Sequence, residues 1–281
     1  MMKSIVVALD GSSSSVNARK TAIEVAKRTG ASLVGIGVLD VPWITEPRAT
    51  PIGAGSYQTH RNDKLIEEGR EKIRDRIDAF RTECAAAELE CSAVGTEGDP
   101  VVQLDSEADR HDLIVIGRET NFHGGENHEI GGTVEKLLHD NPRPLIVAPE
   151  TDYSNANDDV VVVAFDGDVT SSRAMHMFLL LGLAKGREVH VVSVDPDAAK
   201  ANALAERGAA LFRSHGYAAL SNGVASRGKV SDSVLGAIST CNAGRLVMGA
   251  YGHEGGIRRM FVGSTTKRLL TASPVPVFVH H

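Results

Sequence analysis

The chain has 281 residues, of which 42% are hydrophobic and 23% are charged, as in an ordinary globular protein. Its formal net charge is −6, so the composition offers no basic surface of the kind that binds nucleic acid or an anionic membrane. Aromatic residues make up only 4% of the chain, so we expect aliphatic cores, which favour parallel strands buried on both faces.

The amino-terminal residues 3–9 form too short an apolar run for a signal peptide, and we expect them to form a first strand. No later stretch approaches the roughly 18 apolar residues that a membrane-spanning helix needs. The three cysteines, Cys84, Cys91 and Cys241, form no CxxC pair and are interpreted as free thiols in a reducing compartment. Together these features predict a cytoplasmic protein.

Three segments of the chain occur twice, in the same order. Residues 5–12 recur as 161–168, residues 112–117 as 244–249, and residues 143–148 as 273–278. Such a repeat indicates two copies of one structural unit, which we place at residues 1–150 and 158–281. The polar, aperiodic residues 150–159 are interpreted as a linker between them.

In the first copy, short apolar runs predict strands near residues 3–9, 33–39, 90–96, 112–117 and 144–148. This copy is longer than the second by about 24 residues, and we place most of the excess in a proline- and glycine-rich loop from Val41 to Asn62. An amphipathic helix follows the loop. Its apolar face, which we expect in the core, carries Ile66, Ile73, Ile77, Phe80, Cys84 and Ala87.

The second copy repeats the alternation of strands and helices. Its strands are predicted near residues 160–165, 188–194, 218–226, 245–249 and 275–279, and its helices near 170–185, 197–215, 231–241 and 264–272. Buried strands that alternate with helices form βαβ units with right-handed crossovers. The predicted fold is therefore α/β, with two tandem open five-stranded parallel sheets flanked by helices. In such sheets a ligand binds beyond the carboxyl ends of the strands, where the strand order reverses.

The segment after the fourth strand of the second copy is rich in glycine. Gly249 and Gly252 permit a sharp turn and a close approach of the backbone to a ligand. Gly263, Ser264 and Thr265 then open a helix whose first amides are unpaired and carry partial positive charge, which suits a phosphate. The alternative is that the glycines are simple turn residues, since the segment contains neither a Walker motif nor GxGxxG.

Each copy also has an Asp-Gly pair directly after its first strand, with the carboxylates of Asp10 and Asp166. A carboxylate at this place can accept a hydrogen bond from a ribose hydroxyl, as in other doubly wound folds. It can also form a turn that caps the following helix, and the sequence leaves both roles open.

These motifs resemble those of the ATP-binding universal stress proteins. The spacing Gly249-x2-Gly252-x10-Gly263-Ser264 is similar to that family's Gly-x2-Gly-x9-Gly-Ser/Thr motif, with one additional residue in the spacer. The Val-Ala-x-Asp-Gly sequence in both copies, Asp99-Pro100 and the closing Pro-Val-x-Val strand also fit the family. The resemblance covers nearly the whole chain as a tandem two-domain member. It implies a Rossmann-like, adenine-nucleotide alpha-hydrolase-like fold.

The resemblance implies a site for ATP or AMP, with or without Mg²⁺, in the second copy. Asp166 would lie beside the adenosine, and Val194 would offer backbone contacts to the adenine. The residues implied at the ribose and the phosphates are Met248, Gly249, Gly252, Gly263, Ser264 and Thr265. No catalytic residue and no metal ligand is assigned. The histidines and glutamates of residues 123–129 are interpreted as a polar loop, because their spacing matches no metal-ligand frame.

The first copy departs from the glycine motif. Thr120 replaces the second glycine and adds a Cβ where a close backbone approach is needed. Glu119, Glu126 and Glu129 add negative charge around the place of a triphosphate, and like charges about 4 Å apart repel by about 1–4 kcal/mol. We therefore expect one working nucleotide site, in the second copy, and a structural partner in the first.

These inferences favour a regulatory protein of the stress response that acts through nucleotide occupancy and protein interaction. One alternative is a slow ATP-hydrolysing or nucleotidyl-transferring enzyme, although no convincing general base follows either glycine segment. A second is a nucleotide-free interaction scaffold. The expected partners are an adenine nucleotide and an unidentified protein. The resemblance also implies antiparallel pairing of strand 275–279 with strand 144–148 within the chain, and it leaves homodimerisation open.

Overall fold

The computed structural model describes residues 2–47, 55–122, 130–250 and 263–281, which form two consecutive α/β halves. The first half consists of β1 (Ser4–Ala8), α1 (Ser15–Thr29), β2 (Ser32–Leu39), α2 (Val41–Thr45), α3 (Gly55–Ala86), β3 (Cys91–Glu97), α4 (Pro100–Ala108), β4 (Leu113–Gly117), α5 (Gly132–Asp140) and β5 (Leu145–Ala148). The second half consists of β6 (Asn157–Ala164), α6 (Val169–Leu180), β7 (Glu188–Asp195), α7 (Ala198–Ser214), β8 (Ala219–Ala225), α8 (Val230–Cys241), β9 (Ala243–Gly249), α9 (Ser264–Ala272) and β10 (Val277–His280).

The side chains of β1 show why helices cover both faces of the sheet. Ile5 and Val7 point into one apolar layer and Val6 and Ala8 into the other, because successive residues of a strand face opposite sides. The first layer is completed by α1, α3, α6 and α7, and the second by α4, α5, α8 and α9. The aliphatic runs of the central strands are therefore buried on both faces.

The ten strands form one sheet in the order β3-β2-β1-β4-β5-β10-β9-β6-β7-β8. Neighbouring strands are parallel within each half, whereas β5 and β10 are antiparallel, with Val147 opposite Val277 and Leu145 opposite Val279. The predicted fold is confirmed, because each half is an open five-stranded parallel sheet and the last strands of the halves pair within the chain. The strand order reverses between β1 and β4 and again between β6 and β9.

The prediction of a loop from Val41 to Asn62 is wrong in part. The short helix α2 follows β2 directly, and Asp40 caps it by accepting a hydrogen bond from Trp43 N at 2.9 Å. Helix α3 begins at Gly55, so the extra length of the first half is largely helical: α3 has 32 residues and α7 has 17. Four of the six residues on the predicted helix face are buried, namely Ile73, Ile77, Phe80 and Cys84.

The segment between the halves is anchored to α1. Asn17 Nδ2 donates hydrogen bonds to the carbonyl oxygens of residues 149–151, at 2.8, 3.0 and 3.0 Å. Tyr153 is buried, and its hydroxyl lies 2.7 Å from Thr21 Oγ1. Strand β6 begins at Asn157, inside the segment that was predicted as a linker.

Asp158, near the start of β6, binds arginines from both halves. Its carboxylate accepts hydrogen bonds from Arg187 at 2.7 Å, from Arg245 at 3.0 Å and from Arg28 at 3.1 Å. Burial acts to raise the pKa of Asp158, but the three arginines act more strongly and hold that pKa below its ordinary value. Because Arg28 belongs to α1 and Arg245 to β9, this group of ion pairs connects the two halves.

The two halves fill one equivalent position of the core with side chains from different elements. In the first half, a Cβ at Gly35 of β2 would lie 2.8 Å from the ring of Phe80 in α3. In the second half the strand residue at this place is Val191, and a Cβ at Gly208 of α7 would lie 2.8 Å from its side chain. The large side chain thus comes from the helix in one half and from the strand in the other, which fills the interior in both.

Within the described residues, no helix is both long enough and apolar enough to cross a membrane.

We predict that Phe80→Ala and Gly35→Val each destabilise the fold, and that the double variant is more stable than their summed effects imply. Phe80→Ala removes a fully buried ring, which costs about 3–5 kcal/mol of unfolding free energy. Gly35→Val alone overpacks the same space, at a cost of about 1–3 kcal/mol. In the double variant the valine occupies part of the space left by the ring, so urea unfolding should show a favourable coupling of at least ~1 kcal/mol.

The control is Phe80→Ala combined with Gly208→Ala in the other half, where the two effects should add. If the effects of Gly35→Val and Phe80→Ala on the free energy of unfolding are additive, residues 35 and 80 are not energetically coupled and the prediction is wrong.

Candidate functional site

The segments that follow β6 and β9 lie at the point where the strand order of the second half reverses. These two strands are parallel neighbours, so their carboxyl ends meet at one edge of the sheet. Asp166 follows β6, whereas Met248 and Gly249 end β9. Val194 lies near the end of β7, the neighbour of β6 on its other side. The topology therefore brings four of the predicted site residues to one edge.

Asp166 supports the first turn of α6. Its Oδ1 atom accepts hydrogen bonds from Asp168 N at 3.0 Å and from Ser171 Oγ at 2.6 Å. The next residue, Gly167, has a φ of +86°, a left-handed conformation that glycine adopts readily. Asp166 and Gly167 therefore form the turn that precedes α6, which is one of the two roles that the sequence left open. Asp166 is exposed, and its Oδ2 atom makes no recorded hydrogen bond to another described residue.

Gly249 allows β9 to pack closely against the first turn of α6. A Cβ at this residue would lie 2.5 Å from Ser171 N, so a larger residue would force the helix away from the strand. Met248 is 3% exposed and belongs to the apolar layer beneath the edge. Val194 is half-buried against the same layer. These three residues form the inner surface beneath the carboxyl ends of β6, β7 and β9.

Helix α9 begins at the predicted phosphate site with an open first turn. Gly263 is its N-cap residue, and no side chain caps the helix. Among the described residues, no atom lies closer than 3.9 Å to a Cβ at Gly263, and Ser264 and Thr265 are exposed. Unpaired amides and the helix macrodipole make such a helix start suited to an anion. Gly252 and the spacer that follows it lie outside the described residues.

The corresponding helix start in the first half also has no side-chain cap, but its N-cap residue Gly131 packs against the backbone of Thr120. A Cβ at Gly131 would lie 2.1 Å from Thr120 O, and Gly131 N donates a hydrogen bond to Arg118 O at 2.8 Å. Thr120, which replaces the second glycine of the motif, is fully buried, and its hydroxyl has no hydrogen-bond partner among the described residues. This close contact leaves no room for a phosphate between Thr120 and Gly131. The polar residues 123–129 lie outside the described residues.

The first half also contains a cavity at the carboxyl ends of its strands, with a wall that sequence reasoning missed. Its volume is about 580 Å³, and it is lined by residues at the carboxyl ends of β1 and β2, in α2, in α3, after β4 and β5, and at the start of α5. Apolar contacts to its interior come from Leu39, Trp43, Ile44 and Ile73. Small-molecule sites commonly have volumes of about 300–1,000 Å³. Asp10 and the carboxyl ends of the strands were predicted to face a ligand, whereas the wall formed by α2 and α3 was not, because α2 and the start of α3 fall in the predicted loop.

Two glycines hold α3 against β2 and so fix one wall of the cavity. A Cβ at Gly37 would lie 2.9 Å from Ile73 Cγ2, and a Cβ at Gly69 would lie 2.4 Å from Leu39 Cδ1. One glycine is on the strand and the other on the helix, so a side chain at either place would push the two elements apart.

Asp10 and Arg76 are the charged groups at the base of the cavity. Asp10 is 4% exposed, and it accepts hydrogen bonds from Ser12 Oγ and from Asn121 N, each at 3.1 Å. The guanidinium of Arg76 lies over Gly11, where an added Cβ would be 2.5 Å from Nη2. Burial lowers the pKa of Arg76 below its ordinary value, although the nearby Asp10 acts to raise it.

Within the described parts of the chain, no group of three or more histidine, cysteine, aspartate or glutamate side chains is placed to hold a metal ion.

The sequence matches the model of the Universal stress protein family over residues 1–149 and again over residues 159–281. A universal stress protein of Methanocaldococcus jannaschii is 30% identical over 151 residues, which are 52% of this chain and 82% of that relative. A universal stress protein of Synechocystis is 25% identical over 171 residues, which are 59% of this chain and 56% of that relative. The matched region therefore spans little more than half of the Synechocystis protein.

Two solved structures resemble the whole chain. A universal stress protein from Archaeoglobus fulgidus is 22% identical, with a TM-score of 0.67 over 99% of this chain and 95% of that chain. A functionally unknown protein from Pseudomonas aeruginosa is 16% identical, with a TM-score of 0.57 over 99% of this chain and 92% of that chain. At these identities the likeness shows a shared fold, in which two α/β halves follow each other in one chain.

We predict that Thr120→Val does not destabilise the protein, whereas Thr21→Val does. Thr120 buries a hydroxyl that lacks a partner, so a valine of similar shape should leave the free energy of unfolding unchanged or raise it by up to about 1 kcal/mol. Thr21→Val instead breaks the contact with the buried Tyr153 hydroxyl, at a cost of about 1–3 kcal/mol. Urea unfolding of the two variants measures the difference. Equal losses of stability would mean that the Thr120 hydroxyl is satisfied in solution.

Proposed function

This chain belongs to the universal stress protein family, and we propose that its second half binds an adenine nucleotide, ATP or AMP, at the edge formed by the ends of β6, β7 and β9. Nucleotide occupancy then regulates the protein's interaction with a partner during the stress response. The observation that carries this proposal is the open, uncapped first turn of α9, beside the place where the strand order reverses.

In the proposed complex, the two ends of the nucleotide contact different elements. Exposed Ser264 and Thr265, together with the first amides of α9, bind the phosphate oxygens, because the helix N-terminus attracts negative charge. Asp166 retains its turn through Oδ1 and accepts a ribose hydroxyl through Oδ2. The half-buried Val194 and buried Met248 form the apolar floor beneath the base.

The open helix start favours α9 over its counterpart α5. No described residue lies closer than 3.9 Å to a Cβ at Gly263, whereas Gly131 packs directly on the backbone of Thr120 at the start of α5. The proposed role is ligand binding rather than catalysis. In the described residues, the groups near α9 include no carboxylate cluster of the kind that would hold Mg²⁺ for phosphoryl transfer. An occupied site biases the protein toward conformations that the nucleotide binds more tightly.

We predict that Ser264→Asp weakens ATP binding by about 10- to 100-fold while leaving the fold intact. A carboxylate about 4 Å from a phosphate repels it by about 1–4 kcal/mol. The same carboxylate at the first position of α9 interacts favourably with the helix macrodipole, so the melting temperature should not fall. Isothermal titration calorimetry with ATP and AMP measures the loss of affinity.

Gly132→Asp is the matched control, because Gly132 is the first residue of α5 and its Cβ position is open. This variant adds the same charge to the first half, and we expect unchanged ATP affinity. If the two variants bind ATP as tightly as the original protein, or if Gly132→Asp causes the larger loss, the proposed second-half site is wrong.

A further inference from the structure

Two of the three cysteines lie side by side in the first half, away from the nucleotide site proposed above. Cys84 is in the last turn of α3, and Cys91 is the first residue of β3, the edge strand of the sheet. Both contact the same apolar layer, in which Cys84 is fully buried and Cys91 is half-buried. Both are free thiols in the structure.

The packing of α3 on β3 places the two cysteines at the same level. A Cβ at Gly95 of β3 would lie 3.2 Å from the side chain of Ile73 and 3.5 Å from that of Ile77. From the midpoint of that contact, Cys84 lies about nine residues further along α3, and Cys91 lies four residues back along β3. A helix rises about 1.5 Å and a strand about 3.3 Å per residue, so both displacements are about 13 Å. Residues 91 and 95 share one face of the strand, so the side chains of the two cysteines meet.

A tight turn joins the two cysteines and gives them different environments. Leu89 N donates a hydrogen bond to Cys84 O at 2.9 Å, so the chain reverses direction directly after α3. Burial, and next a hydrogen bond with the Cys91 thiol, raise the pKa of Cys84 to about 12. Cys84 therefore stays protonated at neutral pH, whereas Cys91 is the thiol that solvent reaches.

The second half shows that this position of the core does not require sulfur. Phe212 takes the place of Cys84, because the turn after α7 repeats the same hydrogen bond, from Tyr217 N to Phe212 O at 3.0 Å. Ala219 takes the place of Cys91, because each begins the edge strand of its half. Phe212 and Ala219 are both buried in the same apolar layer. One large and one small apolar side chain thus fill the space that holds two thiols in the first half.

We propose that Cys84 and Cys91 are a redox-responsive site, which hydrogen peroxide converts to a disulfide that ties the end of α3 to the edge strand. The deprotonated Cys91 sulfur attacks a peroxide oxygen, the O–O bond breaks, and the departing hydroxide takes up the Cys91 proton to give water. Cys91 is then a sulfenic acid. The Cys84 sulfur attacks the Cys91 sulfur, the S–O bond breaks, and a second water leaves with the Cys84 proton. The thiols lose two electrons, which the peroxide gains, and a dithiol reductant reverses the change.

The effective concentration of the thiol pair, measured against glutathione, tests whether the fold brings the sulfurs together. The full chain carries Cys241→Ser, and it is equilibrated both folded and unfolded in urea. Trypsin releases both cysteines in one peptide, residues 82–110, because no lysine or arginine lies between them. Mass spectrometry then detects the disulfide as the loss of two hydrogen atoms. We expect an effective concentration at least ~10-fold higher in the folded chain, because the unfolded chain must first close the loop.

The matched control moves one thiol by a single residue, through Cys91→Ser combined with Ser92→Cys. Ser92 is exposed, and successive strand residues face opposite sides, so the moved thiol points away from α3. In urea the two pairs should have effective concentrations within about threefold, because their loops are almost equally long. In the folded chain the moved pair should fall at least ~10-fold below the original one. Cys84 is retained in both chains, and thermal unfolding checks that the control folds. Without a folded control, the comparison of the original pair with and without urea still decides.

Hydrogen peroxide tests the reaction itself. We expect the folded chain with Cys241→Ser to lose both thiols together, to stay a single chain on a non-reducing gel, and to regain both thiols with dithiothreitol. The proposal is wrong if the folded pair has no higher effective concentration than the pair in urea, or if the moved thiol pairs equally well. It is also wrong if peroxide links two chains, or oxidises Cys91 to a sulfinic acid while Cys84 stays reduced. None of these results bears on the nucleotide site of the second half.

Discussion

The antiparallel pairing of β5 with β10 is the contact on which the rest of the architecture depends. It joins two open parallel sheets through strand edges that would otherwise be unpaired, which gives one sheet of ten strands. Because the strand direction reverses there, the end of β4 lies near the start of β10. Arg118, directly after β4, accordingly donates a hydrogen bond at 2.6 Å to Thr271 O at the end of α9. The carbonyl end of a helix attracts such a cation.

A buried polar group between α1 and the second half reinforces this junction. Asp158 lies among three arginines, and Arg245 is fully buried beside it. Burial, and next the charge of Arg245, lower the pKa of Arg187 to about 10, so the guanidinium stays protonated at neutral pH. Burial raises the pKa of Glu24 in α1, which faces the same group. Removing Asp158 would leave several desolvated cations unpaired, so these charges specify how the halves meet.

The two halves share a topology but differ at the edge where a ligand would bind. In the second half the first turn of α9 is open, whereas in the first half Gly131 is packed against Thr120. The first half instead has the longer helix α3, whose contacts with β2 shape a cavity lined by Lys72 and Arg76.

The sequence by itself determined the repeat, the ten strands and the parallel sheet of each half, because buried strands show as continuous aliphatic runs, whereas the order of the strands came from the structure. The sequence also predicted a site around Asp166, Gly249 and Ser264, because glycine and hydroxyl residues after a strand form a local pattern. Local patterns carry no information about contacts between distant segments. Only the tertiary structure showed that α3 extends into the predicted loop and that Arg76 lies over Gly11. The cavity arises from α2 and α3 packing against the ends of β1 and β2, and such packing depends on the fold rather than on any one segment.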